Sequence, residues 1–465
     1  MSTASKTVSA RLPDIVGATH IDTDPAQLSA YAVDGILPAA AVRPGSREEV
    51  AGIIQFAAAE KLGVIASGAR TKLGIGLPPT RYDLALDLSR LDRVIAYDPG
   101  DLTVSVEAGV PLRKLAAVLA EHRQFLPLAV PYFDRATVGG TIASGVDTPL
   151  RQFYGTARDY VLGMEFVIGD GVHAKSGGTV VKNVTGYDLH KLMIGSLGTL
   201  GIITRINFKT FPTPVTSRGF VAWFENLDRA IDFRHRVAQS SLTPMTFDIV
   251  SPRVAELFAG TIAERNAKAP MPVNVISANH WAVTIGYSGN EKVLARYEAD
   301  LRRMAAETGA ANVTAVSGEI TAAAFAHKRE FLSTALDSSP ATSIVKISVL
   351  PMRMKEALTA AAKAADANQL PWAVMARSLG PIYFALLPKD KSADSLGQVA
   401  AATNQIFAAG SALAANMTIP WCPAEWKTTL KVWGPERADL AQMGKVKKIF
   451  DPLGIFSPGR FVGGL

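Results

Sequence analysis

Ser67-Gly-Ala-Arg-Thr-Lys-Leu-Gly-Ile-Gly76 follows directly on the apolar run Val64-Ile-Ala66. A short buried strand that empties into a glycine-rich turn is the unit whose repetition decides this fold. Glycine lets the chain turn tightly and aim successive N–H groups at one anion. Arg70 and Lys72 add charge and Thr71 adds a hydroxyl donor, which is what a pyrophosphate needs. The spacing departs from Gly-x-x-x-x-Gly-Lys-Ser/Thr, so this is not a standard nucleoside-triphosphate loop. Taken alone, the stretch reads equally well as a tight surface turn with solvated charges.

Further clusters follow the first. Ala136-Thr-Val-Gly-Gly-Thr-Ile-Ala-Ser-Gly145 is dominated by small residues, so a flat group can approach its backbone. Ser176-Gly-Gly-Thr-Val-Val-Lys-Asn-Val-Thr-Gly-Tyr-Asp188 gathers Lys182, Asn183, Thr185, Tyr187 and Asp188 between a strand and a helix. Gly195-Ser-Leu-Gly-Thr-Leu-Gly-Ile-Ile-Thr204 leads from a helix into a strand. Each has a bland reading: a packed loop, a helix entry, a glycine-terminated helix. Their recurrence between strands over about 140 residues is far more specific than any one of them. Gly-x-Gly-x-x-Gly does not open the chain, which disfavours a dinucleotide fold of that type.

The intervening segments alternate strands and helices. Ser46 is an N-cap with Glu48 and Glu49 in the first turn, and Val50, Ile53, Ile54 and Ala57 follow at helical spacing until Gly63. Leu84–Leu88, Val94–Tyr97, Leu102–Ala108 and Ile202–Phe208 read as strands, and Pro111 opens a second helix. Gly163–Ile168 and Val172–Ala174 form a hairpin around Gly169-Asp-Gly171. Hairpins mixed with crossovers predict an α+β fold. Two prolines in Thr210-Phe-Pro-Thr-Pro214 break regular structure, and a more helical, Ala-rich stretch follows to about residue 430.

Composition sets the bounds. At roughly 150 residues per domain, 465 residues make about three structural units. With 19% charged and 48% hydrophobic residues the chain is globular, and its 38 glycines and 27 prolines follow no Gly-X-Y period. Cys422 is the only cysteine, which excludes an internal disulfide framework and a multi-cysteine metal or iron–sulfur site, and weakly favours a reducing compartment. The net charge of +7 forms no basic run interleaved with aromatics, so a nucleic-acid role is set low. No apolar run reaches the roughly 18 residues a membrane span needs. Met1–Ile15 has no apolar h-region, so no secretory signal is expected.

The order and wording of the clusters resemble the vanillyl-alcohol-oxidase and p-cresol-methylhydroxylase (PCMH-type) flavoproteins, and within them the E-subunit branch of the bacterial glycolate oxidases. The resemblance rests on Gly177–Leu189, Lys191-Leu-Met193 and Gly195–Ile202, with Pro131-Tyr-Phe133, Val138-Gly-Gly140, Tyr154–Gly163 and the tail Asp451–Arg460. It implies a two-subdomain PCMH-type FAD-binding domain over residues 1–212. An α+β cap with an antiparallel sheet and helices would span 213–430, and a C-terminal segment, 431–465, would return to the FAD domain. FAD would lie extended between the two subdomains. Ser67, Gly68, Ala69, Arg70, Thr71, Lys72 and Leu73 would wrap its pyrophosphate. Val138, Gly139, Gly140 and Ser144 would lie along the pyrophosphate and isoalloxazine, and Gly198, Gly201 and Ile203 along the adenosine. Ala69 and Arg70 depart from the small or glycine residues common there. No histidine or cysteine stands near the first cluster, so non-covalent FAD is expected.

Relatives acting on 2-hydroxy acids carry metal-binding histidines and a His-x-Gly-x-Gly strand in the cap. Here the comparable segment is Ala376–Phe384, with Arg377 about where a histidine would stand, and no metal is expected. Hydride transfer from a hydroxy acid needs the substrate over the ring, a base for the hydroxyl proton and cations for the carboxylate. Arg377, whose fork fits a carboxylate, Lys346 in Ile344–Leu350, and His280 beside Trp281 are the catalytic candidates. Each also has a plainer reading, as a surface ion pair, a solvent-facing lysine or a packed histidine. The resemblance implies an FAD-linked oxidase or dehydrogenase of CH–OH groups, acting on a small 2-hydroxy acid of the glycolate or D-lactate type. The alternatives are a non-catalytic FAD-binding partner subunit and a flavin oxidase of another alcohol. A second flavoprotein and an iron–sulfur protein are the implied partners. The expected location is cytoplasmic, with membrane association through a partner left open.

Overall fold

The computed structural model describes residues 11–180, 186–265 and 277–465, without the side chains of 260–265. Lys182, Asn183 and Thr185 therefore lie outside the described residues. Ser46 caps the helix Arg47–Ala59 by accepting from the Glu49 N–H at 3.1 Å. The strands Val64–Ser67 and Ala40–Val42 both lie parallel to Leu84–Asp87, which separates them in a four-stranded sheet. Parallel strands need a crossover, and the Ser46-capped helix supplies it. Pro111 stands one residue earlier than the sequence predicts. It is the N-cap of Leu112–Ala120 rather than its first residue, because its ψ of 138° is extended.

A second sheet is antiparallel and five-stranded, in the order Val94–Asp98, Thr103–Glu107, Ile202–Lys209, Val161–Val167, His173–Gly177. Both small sheets and their helices share one core, which includes Ile54, Val64, Leu86, Val106, Leu115, Ile142, Phe166 and Ile206. The break at Thr210–Pro214 is softer than expected. Phe211–Pro212 still pairs with Gln124–Phe125, which proline permits in a short strand with little ladder to lose.

Beyond it runs an antiparallel sheet of eight strands, ordered Asn312–Ser317, Ser217–Phe224, Trp281–Ser288, Thr246–Val250, Trp372–Arg377, Pro381–Leu386, Ser343–Ser348, Asn416–Trp421. Alternate residues face opposite ways along a strand. Phe220, Ile249, Ile285, Val345, Ala376 and Phe384 pack on one face against Phe233, Leu301, Leu358 and Phe407. Those partners come from the helices Leu227–Gln239, Glu291–Glu307, Met354–Ala367 and Ala393–Ala412. The other face presents Val221, Trp223, Val250, Tyr383 and Trp421, and packs with Ile75, Val146 and Leu197 from the glycine-cluster half. That contact sets the site between the halves.

The tail is pinned to the first half. Ser457 donates to the Val64 carbonyl at 2.8 Å, and Val64 donates to Ile455 at 2.7 Å. Lys447, 2.6 Å from Asp451, also donates to the Thr199 and Phe456 carbonyls.

Candidate functional site

The first, second and fourth glycine clusters converge on one cleft. Ser67, Gly68, Ala69, Arg70, Thr71, Lys72 and Leu73 line it, with Gly139, Gly140, Ser144, Gly198, Gly201 and Ile203. Val138 does not. It is wholly buried, and its N–H is spent on the Val110 carbonyl at 2.9 Å. The cleft also takes in Ala108, Thr137, Leu197 and Arg460, which the sequence reading passed over. Their signal is only their nearness to glycines or their place in the tail.

The walls suit a long anionic group held by backbone. A Cβ on Gly68 would sit 2.4 Å from Thr137 Oγ1, and one on Gly139 would sit 2.6 Å from the Ala108 Cβ. Glycine is therefore what lets these segments meet. Ser67 Oγ is buried in the cleft without a hydrogen-bond partner among the described residues, an orphan that a bound oxygen would satisfy. Lys72 is nearly buried, and its Nζ donates to Thr71 Oγ1 at 3.2 Å and to the Pro131 carbonyl at 3.3 Å. Burial pushes its pKa down to about 8, with Glu330 opposing.

Arg70 behaves differently from the expected free charge. It adopts a left-handed φ of 60°, uncommon outside glycine. Its guanidinium is 3.0 Å from Asp87 and lies 4.6 Å over the Tyr31 ring. The charge is thereby committed to the wall. Arg460 braces the same loop from the tail, donating to the Ile75 carbonyl at 2.7 Å and also to that of Leu73. Lys427 adds a second brace, 2.7 Å from both Asp34 and the Gly74 carbonyl.

Across from this half, the inner face of the eight-stranded sheet carries a buried ionic cluster. Asp248 is fully buried on Thr246–Val250. Arg377 reaches its Oδ1 at 2.8 Å from the neighbouring strand, and Lys328 reaches its Oδ2 at 2.8 Å from the end of helix Gly318–Arg329. Burial alone would raise the Asp248 pKa, but the Lys328 and Arg377 charges hold it below the usual carboxylate range. Arg377 Nε is buried without a hydrogen-bond partner among the described residues. With Lys328 protonated the trio carries a net positive charge; burial lowers the Lys328 pKa, Asp248 opposes and Arg377 assists.

Lys346 stands on the same face, with its Nζ 5.8 Å from the centre of the Tyr383 ring. Burial lowers its pKa, Asp147 opposes and Arg151 assists. Asp147 is itself buried and lies 3.6 Å from Arg151. Arg377 and Lys346 are thus brought to one face, and Arg377 stacks at 6.0 Å on the Tyr383 ring between them. His280 is not brought there. It lies before the strand Trp281–Ser288, and its Nδ1 is 3.1 Å from Ser277 Oγ. Glu330 ties the halves together at this level, accepting from the Tyr132 and Phe133 N–H groups at 2.7 and 3.2 Å. Among the described residues no group of three or more His, Cys, Asp or Glu could hold a metal ion. No described helix is long and apolar enough to cross a membrane.

Residues 38–177 match the model of an FAD binding domain, and residues 213–378 match that of the C-terminal domain of FAD linked oxidases. The chain is 24% identical to the glycolate oxidase subunit GlcD of Bacillus subtilis, over 98% of this chain and 97% of that one. It is 38% identical over 165 residues to the glycolate oxidase subunit GlcE of Escherichia coli, which is 35% of this chain and 47% of that one. Identity to a D-lactate dehydrogenase of Anaerostipes hadrus is 35%, over 46% of each chain. Among solved structures, p-cresol methylhydroxylase superposes with a TM-score of 0.78 at 17% identity, over 99% of this chain and 97% of that one. The 4-ethylphenol oxidase of Gulosibacter chungangensis does so with 0.76 at 18%, over the same shares.

Proposed function

Because the chain belongs to the PCMH-type FAD-binding flavoproteins and is an FAD-linked oxidoreductase, we propose that it oxidises a 2-hydroxy acid to the 2-oxo acid with non-covalently held FAD. The observation that carries this reading is the buried, net-positive Asp248–Arg377–Lys328 cluster on the sheet face opposite the glycine-lined cleft. Bound FAD supplies the acceptor for the hydride that leaves C2. The chain's residues do the rest. Arg377 and Lys328 attract the substrate carboxylate, since Asp248 balances only one of them. Lys346 Nζ, whose neutral form burial favours, takes the hydroxyl proton as C2 becomes a carbonyl. His280 has no part in this scheme. Ser67–Leu73, Gly139, Gly140 and Ser144 hold the pyrophosphate and ring, with Gly198, Gly201 and Ile203 at the adenosine.

Glycolate and D-lactate are the first substrates to try, on the likeness to GlcD and to the D-lactate dehydrogenase. The likeness to two proteins named as glycolate oxidase subunits supports assembly with a further subunit. The test is anaerobic mixing of the flavin-loaded chain with these acids. Bleaching of the flavin supports the reading. A loaded flavin that no hydroxy acid reduces overturns it in favour of a non-catalytic FAD-binding subunit.

Two further results are expected of the cleft. Gly139→Ala forces its Cβ onto Ala108 and costs about 1–3 kcal/mol of stability, with weaker FAD retention. Denaturation and flavin content measure both; wild-type values would contradict the close approach. The affinity for FAD is also pH-dependent. A pyrophosphate favours charged Lys72, whose cofactor-free pKa is about 8. Affinity is therefore flat below that pH and falls above it, by up to about tenfold per pH unit. Flavin fluorescence titrations between pH 6 and 10 follow it, and Lys72→Met should remove the dependence.

A further inference from the structure

A cavity of 630 Å³ lies between the helix Leu112–Ala120 and the inner face of the eight-stranded sheet. It shares no lining residue with the glycine cleft. Leu115, Leu119, Phe125, Tyr154, Val221 and Phe325 form its walls. The helix Gly318–Arg329 roofs it and leaves its apolar residues partly exposed, although it carries Ile320, Phe325 and a run of alanines. A helix packed on a core would bury an apolar stripe. This one turns Ala322 and Phe325 to the cavity instead.

One end of the chamber is polar and charged. Thr246, Thr284 and Lys328 line it, and Lys328 Nζ lies 3.0 Å from Thr246 Oγ1 and 2.8 Å from Asp248. Thr284 Oγ1 is buried without a hydrogen-bond partner among the described residues. Met375, also a wall, has its Sδ 3.2 Å from Arg377 Nη1. The apolar chamber therefore ends at the cationic cluster assigned above to the substrate carboxylate.

We propose that the substrate is a 2-hydroxy acid with an extended apolar side chain, its carboxylate at the Lys328–Arg377 end and its hydrocarbon in the chamber. This rests on the hydroxy-acid reading above and narrows it. Glycolate has no carbon beyond C2 and lactate has a single methyl, so neither reaches the walls. A chamber of this volume is of the size that encloses a drug-sized ligand. Each methylene buried there tightens binding about fourfold, the equivalent of about 0.8 kcal/mol.

The test uses the flavin-loaded chain and straight-chain 2-hydroxy acids from glycolate to 2-hydroxyoctanoate, with anaerobic flavin reduction as one readout. Binding of the matching unhydroxylated alkanoates, followed by tryptophan fluorescence, is a second that needs no turnover. Both should improve about fourfold per methylene until the chamber is full. Ala116→Trp, on the helix wall, and Ala324→Trp, on the roof, should each flatten the series and bring the longer acids to the level of lactate; two positions guard against one variant that fails to fold. Reduction that ignores chain length, with equal binding of acetate and octanoate, would overturn the apolar tail alone. Graded alkanoate binding with no reduction by any hydroxy acid would overturn the hydroxy-acid reading, and this substrate with it.

Discussion

Lys346→Met is expected to slow reduction of the flavin by a 2-hydroxy acid roughly 10²–10⁴-fold, the usual contribution of a positioned general base. Substrate affinity should change little, because the scheme places the carboxylate on Arg377 and Lys328. The wild-type rate should rise with pH. Burial lowers the Lys346 pKa from its ordinary value, so the lysine sheds its proton as pH climbs through that lowered value, and only the neutral amine accepts another. The variant should lose that limb of the profile. Stopped-flow reduction across pH checks both points. A variant that keeps the wild-type pH profile would remove Lys346 from the proton's path.

Asp248→Ala carries the second large effect, on stability. The carboxylate is fully buried between Arg377 and Lys328. Removing it leaves two buried cations facing each other without their counter-ion, and breaking such a pair costs about 3–5 kcal/mol. Lys328→Met in the same chain should recover part of the loss, since it removes one of the stranded charges. Five of the six tryptophans, from Trp223 to Trp426, lie in the half that contains the cluster, so their fluorescence during denaturation reports mainly on it. A loss below about 1 kcal/mol would mean that water or a rearranged side chain already screens these charges.

The glycine clusters were legible because their constraint is local. Gly68 and Gly139 are glycine because another backbone or side chain stands where a Cβ would go, and that demand is written at the position itself. Their convergence on one cleft followed from the strand-and-turn alternation. Arg70 was legible as a charge but not as a committed one. Asp87, 17 residues on, and Tyr31, in an earlier helical turn, had to be placed beside it first. The cationic cluster shows the same limit on a longer scale. Asp248 reads as one polar residue in Thr246-Phe-Asp-Ile-Val250, and Lys328 as the basic end of a helix. Only the pairing of Asp248 with Arg377, 129 residues away, and the return of Lys328 bring the three together. His280 illustrates the converse. Its neighbours in sequence looked promising, but the strand it precedes carries Thr284 rather than His280 to the level of Asp248. The chamber was invisible for a related reason. Leu112, Leu115 and Leu119 mark an apolar helix face, and spacing does not say whether that face meets a core or a ligand.

The most direct test of the central claim is to purify the chain, identify any flavin that denaturation releases, and titrate the intact protein anaerobically with a homologous series of 2-hydroxy acids. The account predicts released FAD and a flavin that bleaches as the matching 2-oxo acid accumulates in equal amount. A chain that cannot take up FAD, or a bound FAD that no hydroxy acid bleaches, would contradict it.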